Sequence, residues 1–410
     1  MKKALLILLT FTLTSAYGQT QKSHELLDSA KILFRNEKEL SQPELDSFNY
    51  GNIVSILKDA IAIDPANAEA HYFLGYAYSR INSRDGRSMT ASNLGLTIKS
   101  SEQFEQVNKL SPRYTGEILI LDPYSKITAL WGSMAMSYRY QDKPDSAVWA
   151  FREGKRRGGF GDFVLDVNRK ILDACSKDAI LVSSGDNFTI PLWYLQMAEG
   201  YRKDVSVVDI SLLYAPWYPR FLVEKGVAQF DLPPGALDTM EYTAWTDSLV
   251  TINGFSWTVK PSYYNQYLLR GDRILLSLLR QNRFQRDLFF TMGFMKDAQL
   301  SLEEYLSPLI VVDRLDLKQK SSQSYNDYNR SIQEYLQLSK EVNTNSPDEM
   351  RLFDYFRYNL LSKAYVLIQA GEKDKAAELM KILDRNANEN TFPYQDEQGL
   401  KYLQYVRQNL

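Results

Sequence analysis

The stretch from Ser183 to Ser211, SSGDNFTIPLWYLQMAEGYRKDVSVVDIS, decides the fold. It follows the apolar run Ala179–Val182, opens on a glycine turn, continues as an aromatic helical segment and closes in a second β-branched run. Strand, helix and strand in that order form a βαβ unit, whose crossover lays the two strands parallel. Gly185 permits the left-handed backbone of a tight strand-to-helix turn. Asp186, Asn187 and Thr189 are types that accept hydrogen bonds from the free amides of a helix start, and Pro191 in the first turn has no amide to waste. Capping alone therefore explains this turn.

The same turn also has the position of a site. Ligands of open parallel sheets gather beyond the carboxyl ends of the strands. Asp186 follows the first strand, Asp209 and Ser211 close the second, and Trp193, Tyr194, Trp217 and Tyr218 offer flat apolar faces nearby. Apolar walls with a few oriented polar groups suit a sugar or peptide pocket, so these eight residues are the candidate ligand-binding set.

Further along, FSWTVKP, RDLFFTM and LIVVDRL read as strands, DRILLSLLRQN as a helix and SLEEYL as a short helix. Residues 161–316 are expected to form an α/β module with a parallel or mixed sheet.

Both flanks read as helical. In LKDAIAIDPANAEAHYFLGYAY, Ala60 and Pro65 end one hairpin, while His71, Leu74, Gly75 and Tyr78 fall at the large and small positions of a tetratricopeptide repeat. Trp131, Met134, Ala135, Tyr138, Ala147 and Phe151 match a second repeat, and Phe104 and Pro112 belong to a closing helix between them. INSRDGRSMTASN is an insertion relative to the repeat period. Residues 22–157 are thus expected to be an α-solenoid, ended by the glycines of EGKRRGGFGDF. Its basic triplet, Lys155 to Arg157, reads as a solvated helix end. Residues 317–345 form a polar helical connector, and 346–410 a C-terminal hairpin with Ala364, Gly371, Ala376 and Met380 at repeat offsets.

Composition narrows the function classes. A chain of 410 residues exceeds one ordinary core, and a formal net charge of -2 supplies no footprint for nucleic acid. Lys2 and Lys3, the apolar run from Ala4 to Leu13 and the small residues Ala16 and Gly18 have the layout of a signal peptide, residues 1–18, with cleavage expected after Gly18. The run is short for a bilayer span, so the mature chain is expected to be periplasmic or secreted, with no transmembrane helix. Cys175 is the one cysteine, which excludes an internal disulfide; His24 and His71 are the two histidines. No metal site or cofactor is expected.

GDNFTIPLWYLQMAEGYRKDVSVVDISLL, NRFQRDLFF and LSLEEYLSPLIVVDRL together resemble the soluble C-terminal region of the protein mannosyltransferase-like membrane proteins of Bacteroidetes, a domain of unknown function. That family reads Gly-Asp-Asn-Asp-Thr, an aromatic and Pro-Leu-Trp-Tyr, then Arg-x-Asp-Val and Asn-Leu-Ser-Leu-Leu. Here Phe188 replaces the second aspartate, Asp209 and Ile210 replace Asn-Leu, and Asp287 replaces a proline. The resemblance runs from about 178 to 315. It implies the accessory soluble module without the multi-pass portion that carries glycosyl transfer.

The leading expectation is an exported, non-enzymatic tetratricopeptide scaffold that binds a protein or peptide partner in the cell envelope, because solenoids present extended grooves. The alternative is glycan or envelope-polymer binding by the α/β module around Asp186, Asn187 and Trp193. A third is a hydrolase using Asp186 and Asp209.

Overall fold

The helices of the N-terminal half start where an Asn or Asp can take up a free amide. Asn49 accepts from the Gly51 amide to open α2 (Tyr50–Ile63), Asn67 from Ala70 to open α3 (Ala68–Asn82), and Asn93 from Leu96 to open α4 (Leu94–Leu110). Asp122 does the same for α5 (Pro123–Tyr140), and α6 (Pro144–Arg156) starts on a proline. The computed structural model describes residues 2–37, 39–41, 44–45, 47–292, 299–318 and 323–410, with side chains from residue 20 onward. The expected leader therefore lies outside the described side chains, within the first turns of α1 (Lys2–Glu37). Among the described residues no helix is long and apolar enough to cross a membrane.

Helices α1 to α6 each pack on the next in chain order. A Cβ added to Gly75 on α3 would stand 3.0 Å from the Phe104 ring on α4, so the small residue sets how closely these two helices approach. Trp131, fully buried, is tied by its indole N–H to Ser101 Oγ at 3.0 Å. The basic triplet is neutralised: Lys155 pairs with Asp162, Arg156 with Glu153, and Arg157 with Glu105 and Glu153.

The glycine-rich stretch does not interrupt the core. Phe160, fully buried, packs its ring against Phe151 of α6 and Tyr194 of the next layer. Beyond it, α7 (Asp162–Ala174) leads into β1 (Ile180–Ser183), α8 (Asp186–Ala198) and β2 (Ser206–Asp209), the expected βαβ unit. Cys175 is not inside α7 but at its C-terminal cap. The sheet is mixed. Its order is β2-β1-β7-β9-β8, with β7 (Leu288–Thr291) parallel to β1, and β8 (Leu306–Pro308) and β9 (Val312–Leu315) antiparallel because they form a direct hairpin without a crossover.

Helix α8 packs on α5, α6 and α7, so the helical layer and the sheet share a core. The closest approach is at Gly132 of α5, where a Cβ would meet Ile190 Cγ2 at 2.2 Å. After β2 come α9 (Trp217–Glu224), the short α10 (Pro234–Asp238) and β3 (Thr243–Ala244), which pairs with β6 (Tyr267–Leu268). FSWTV is β5 (Phe255–Val259), but it pairs with β4 (Ser248–Ile252) in a separate hairpin. That hairpin turns at Asn253 and Gly254, both with positive φ (49° and 83°), as a two-residue turn requires. Helix α11 (Arg270–Asn282) precedes β7. SLEEYL is not a helix: only Glu303–Tyr305 make a 3₁₀ turn before the chain extends into β8.

The C-terminal region holds α12 (Tyr325–Gln337) within the expected connector, whose residues 319–322 lie outside the described ones, then α13 (Pro347–Gln369), α14 (Lys373–Asn386) and α15 (Glu397–Asn409). Helix α13 packs on all three others.

The start of α8 departs from the capping expectation. The N-cap is Gly185, with φ 88° and ψ 153°, and no side chain caps the helix. Pro191 is consequently well inside the helix, where its missing N–H deprives the Asn187 carbonyl of its donor. The Asn168 side chain of α7 replaces it, donating Nδ2–H to Asn187 O at 3.1 Å and to Val164 O at 2.8 Å. Asn168→Ala is expected to cost about 1 kcal/mol in urea unfolding. Pro191→Ala in that background should recover most of the loss by restoring the amide, and a double-mutant cycle with no coupling would refute the substitution of donors.

Candidate functional site

In a sheet ordered β2-β1-β7, the chain leaves β1 toward one neighbour and returns to the other, so the carboxyl end of β1 is its switch point. Asp186, three residues beyond Ser183 and directly after the Gly185 bend, projects there into a cleft of about 170 Å³. The other walls come from the helical layer: Ser79 and Arg80 of α3, Lys126 and Ser133 of α5, the chain at Ile120 and Leu121, and the loop from Ser83 to Met89. That loop joins α3 to α4 and falls within residues 81–93, the stretch expected to be an insertion.

The loop is held at its tip and its root. Asp85 Oδ1 accepts from the amides of Arg87 (2.9 Å) and Ser88 (3.2 Å), and the Arg84 guanidinium donates to the Leu45 carbonyl. At the tip, Trp217 of α9 donates its indole N–H to Gly86 O at 2.7 Å. A Cβ at Gly86 would stand 2.4 Å from Leu212 Cδ2, so the loop lies directly on the turn after β2. The cleft is thus closed over by both halves of the molecule.

Lys126 is buried on α5, its stem lying over the Tyr76 and Phe104 rings with Nζ 5.2 and 5.9 Å from their centroids. Its ammonium donates to Ser79 Oγ at 3.1 Å, which leaves two N–H groups free. Burial pulls this amine down to about 8, with Asp186 opposing the shift and Arg80 adding to it. Asp186 keeps accessible surface yet lines the cleft, where the neighbouring protein crowds its carboxylate. Burial accordingly raises its pKa, and Lys126 opposes the rise. Among the described residues the Asp186 carboxylate accepts no hydrogen bond and makes no direct ion pair. Arg80, by contrast, is engaged with Glu37 and with Arg84 O (2.6 Å). The site is an acceptor and a donor of opposite charge, each largely unanswered, across a small space.

Of the eight candidate residues, the cleft takes Asp186 alone. Asp209 is buried beneath the turn: Thr189 donates to one of its oxygens and the Leu212 amide to the other at 2.8 Å, and burial pushes it up to about 6. Thr189 also bonds Ser183 Oγ at 2.7 Å, so its hydroxyl ties β1 to the end of β2 instead of capping α8. Tyr218, fully buried, accepts the Asp209 amide at 3.0 Å. Trp193 packs on Tyr218, and Tyr194 sits between Phe151 and Phe160. Trp217 serves the cleft indirectly, through Gly86. Asn187 contributes its carbonyl to Asn168, and Ser211 is exposed beyond β2.

Other reactive side chains are engaged elsewhere. The buried Cys175 thiol donates to Ile171 O at 3.3 Å and burial pushes it up to about 12, far from the range of a reactive thiolate. Both ring nitrogens of His71 are occupied, Nδ1 by Gln103 Oε1 (2.7 Å) and Nε2 by Pro65 O (3.1 Å). No three His, Cys, Asp or Glu side chains gather as a metal-holding group among the described residues.

Lys126, Arg80, Ser79 and Ser133 escaped the sequence reading because they sit in helices of the N-terminal layer whose pattern speaks only of packing. The one available signal was Lys126 itself, a charge one helical turn from Ala129 and Leu130 in a largely buried helix. Residues 164–255 match the family described as TMEM260-associated domain 2. The match runs from α7 to the start of β5 and contains Asp186 and Trp217, while Lys126, Arg80 and the insertion lie outside it. It links the middle of the chain to the mannosyltransferase-like family and does not reach either helical flank. No curated protein matches the chain.

Proposed function

We propose that the protein is an exported, non-enzymatic scaffold of tetratricopeptide type that binds a protein or peptide partner in the cell envelope, with the cleft receiving one polar group of that partner. The observation that carries this reading is the pair of unanswered groups, Asp186 and Lys126, in an opening where the helical layer meets the switch point of the sheet. Perturbed charges that line a cleft are candidates for a binding site. Ile120, exposed at the rim, gives an arriving segment an apolar contact beside the polar floor. The consecutive packing of α1 to α6 supports the solenoid reading, and the signal-like N-terminus supports export. A glycan centred on Asp186, Asn187 and Trp193 is less favoured, because the Trp193 ring is buried against Tyr218 and offers no face to a sugar.

The test is capture of partners from native cells by photo-crosslinking at position 120 of the full chain. Asp186→Asn is expected to lower capture of the main partner about tenfold, the equivalent of about 1.4 kcal/mol. Its melting temperature should stay near that of the wild type. Capture that is undiminished by this variant refutes the docking role of the cleft.

A further inference from the structure

The free groups of the cleft restrict what it takes. A lone anion that approaches Lys126 also faces the Asp186 carboxylate, and a lone cation that approaches Asp186 faces Lys126 and Arg80. A neutral polyol can hydrogen-bond to both groups but brings no charge of opposite sign to either, so it leaves the two buried charges uncompensated. A space of about 170 Å³ is below the usual span of pockets for larger ligands, roughly 300–1,000 Å³, and excludes a folded segment. The group that fits is small, carries both signs and adds no net charge.

We propose that the cleft binds an α-amino acid zwitterion, its ammonium on the Asp186 carboxylate and its carboxylate on the Lys126 ammonium, with the Ser133 hydroxyl beside them. The assignment rests on the reading of the cleft as a docking point; since an internal peptide segment carries no α-amino acid zwitterion, the group received is a free amino acid or one that the partner carries through its side chain. Asp186 and Lys126 face the same opening without pairing directly, which leaves room for a ligand that bridges them. Burial pushes both groups toward their neutral forms, and a ligand presenting opposite charge to each reverses that push.

The experiment is titration of the full chain, by calorimetry and by thermal shift, with glycine, L-alanine and L-serine, and with acetate, methylammonium and glucose as single-feature controls. Nε-acetyl-L-lysine separates a free amino acid from one tethered through its side chain: binding at least as tight as that of alanine assigns the cleft to tethered groups, and weaker binding assigns it to free ones. The small amino acids are expected to bind saturably, with acetate and methylammonium at least tenfold weaker. Asp186→Asn and Lys126→Met should each weaken the amino acids at least tenfold. If Lys126→Met does not fold, Asp186→Asn carries the test, since this carboxylate makes no hydrogen bond within the protein. Glucose binding with no response to amino acids, or amino-acid binding that survives Asp186→Asn, overturns the proposal. A partner lost from Asp186→Asn while no amino acid binds refutes the zwitterion and leaves the docking reading standing. Amino-acid binding with undiminished partner capture does the reverse.

Discussion

Asp122→Ala is expected to lower the unfolding free energy by about 3 kcal/mol, read from urea unfolding of the full chain. Asp122 is fully buried where two helix starts meet. One carboxylate oxygen accepts from the Ser125 amide (2.8 Å) and opens α5; the other accepts from Ser346 Oγ and from the Asp348 amide (3.0 Å) at the start of α13. The exchange is reciprocal, because the Asp122 amide donates to Asp348 Oδ2 at 2.8 Å. Alanine removes the cap of one helix, worth about 0.5–2 kcal/mol, and orphans buried donors on the other at about 1–3 kcal/mol. Relief of the Asp122–Asp348 repulsion, which with burial raises the Asp122 pKa, offsets part of that sum. Ser346→Ala, which leaves Asp122 in place, should cost about 1 kcal/mol. Equal losses for the two variants would show that Asp122 acts only as an ordinary cap.

Asp354→Ala should be at least as damaging, at about 3–5 kcal/mol, because it strands a charge. Arg357 has no exposed surface; Nη1 donates to Asp354 Oδ1 and to Phe392 O, both at 2.7 Å, and the guanidinium carbon lies 3.4 Å from the centre of the Tyr394 ring. Its Nε and Nη2 have no hydrogen-bond partner, so only the Phe392 carbonyl and the Tyr394 ring remain to hold the cation when the carboxylate goes, and neither carries a negative charge. The second oxygen of Asp354 accepts the Gln395 amide at 3.1 Å and fixes the turn before α15. In Asp354→Ala/Arg357→Met the stranded cation is gone, and the double variant is expected to be more stable than Asp354→Ala alone. A double variant less stable than that single one would show that Arg357 stabilises through stacking and not through its charge.

The βαβ unit was legible because β-branched runs flank a helical period, and the helical flanks because small residues such as Gly75 fall where helices must approach. The turn at Gly185 was found, but its chemistry was misread. Asp186, Asn187 and Thr189 belong to the capping types, yet the tertiary structure uses Thr189 to tie two strands and leaves Asp186 open. The insertion at 81–93 was visible as an interruption of a period, without any sign that it would fold onto Leu212 and Trp217. The hairpin at Asn253 and Gly254 carried a plain local signal that went unused. The Asp122–Asp348 exchange was invisible, since its meaning depends on partners far away in the chain, and Lys126 showed only as a charge among apolar neighbours with no sign of what it would face.

That exchange spans 226 positions and governs when the molecule can finish folding. A ribosome releases Asp122 long before Ser346 and Asp348, so the first turn of α5 is born without the bonds that tie it to the start of α13. Until the last helices appear, the early ones are a provisional stack with an open seam. A truncation before residue 346 should leave that seam exposed to proteases near residue 122, at the far end of the chain from the cut.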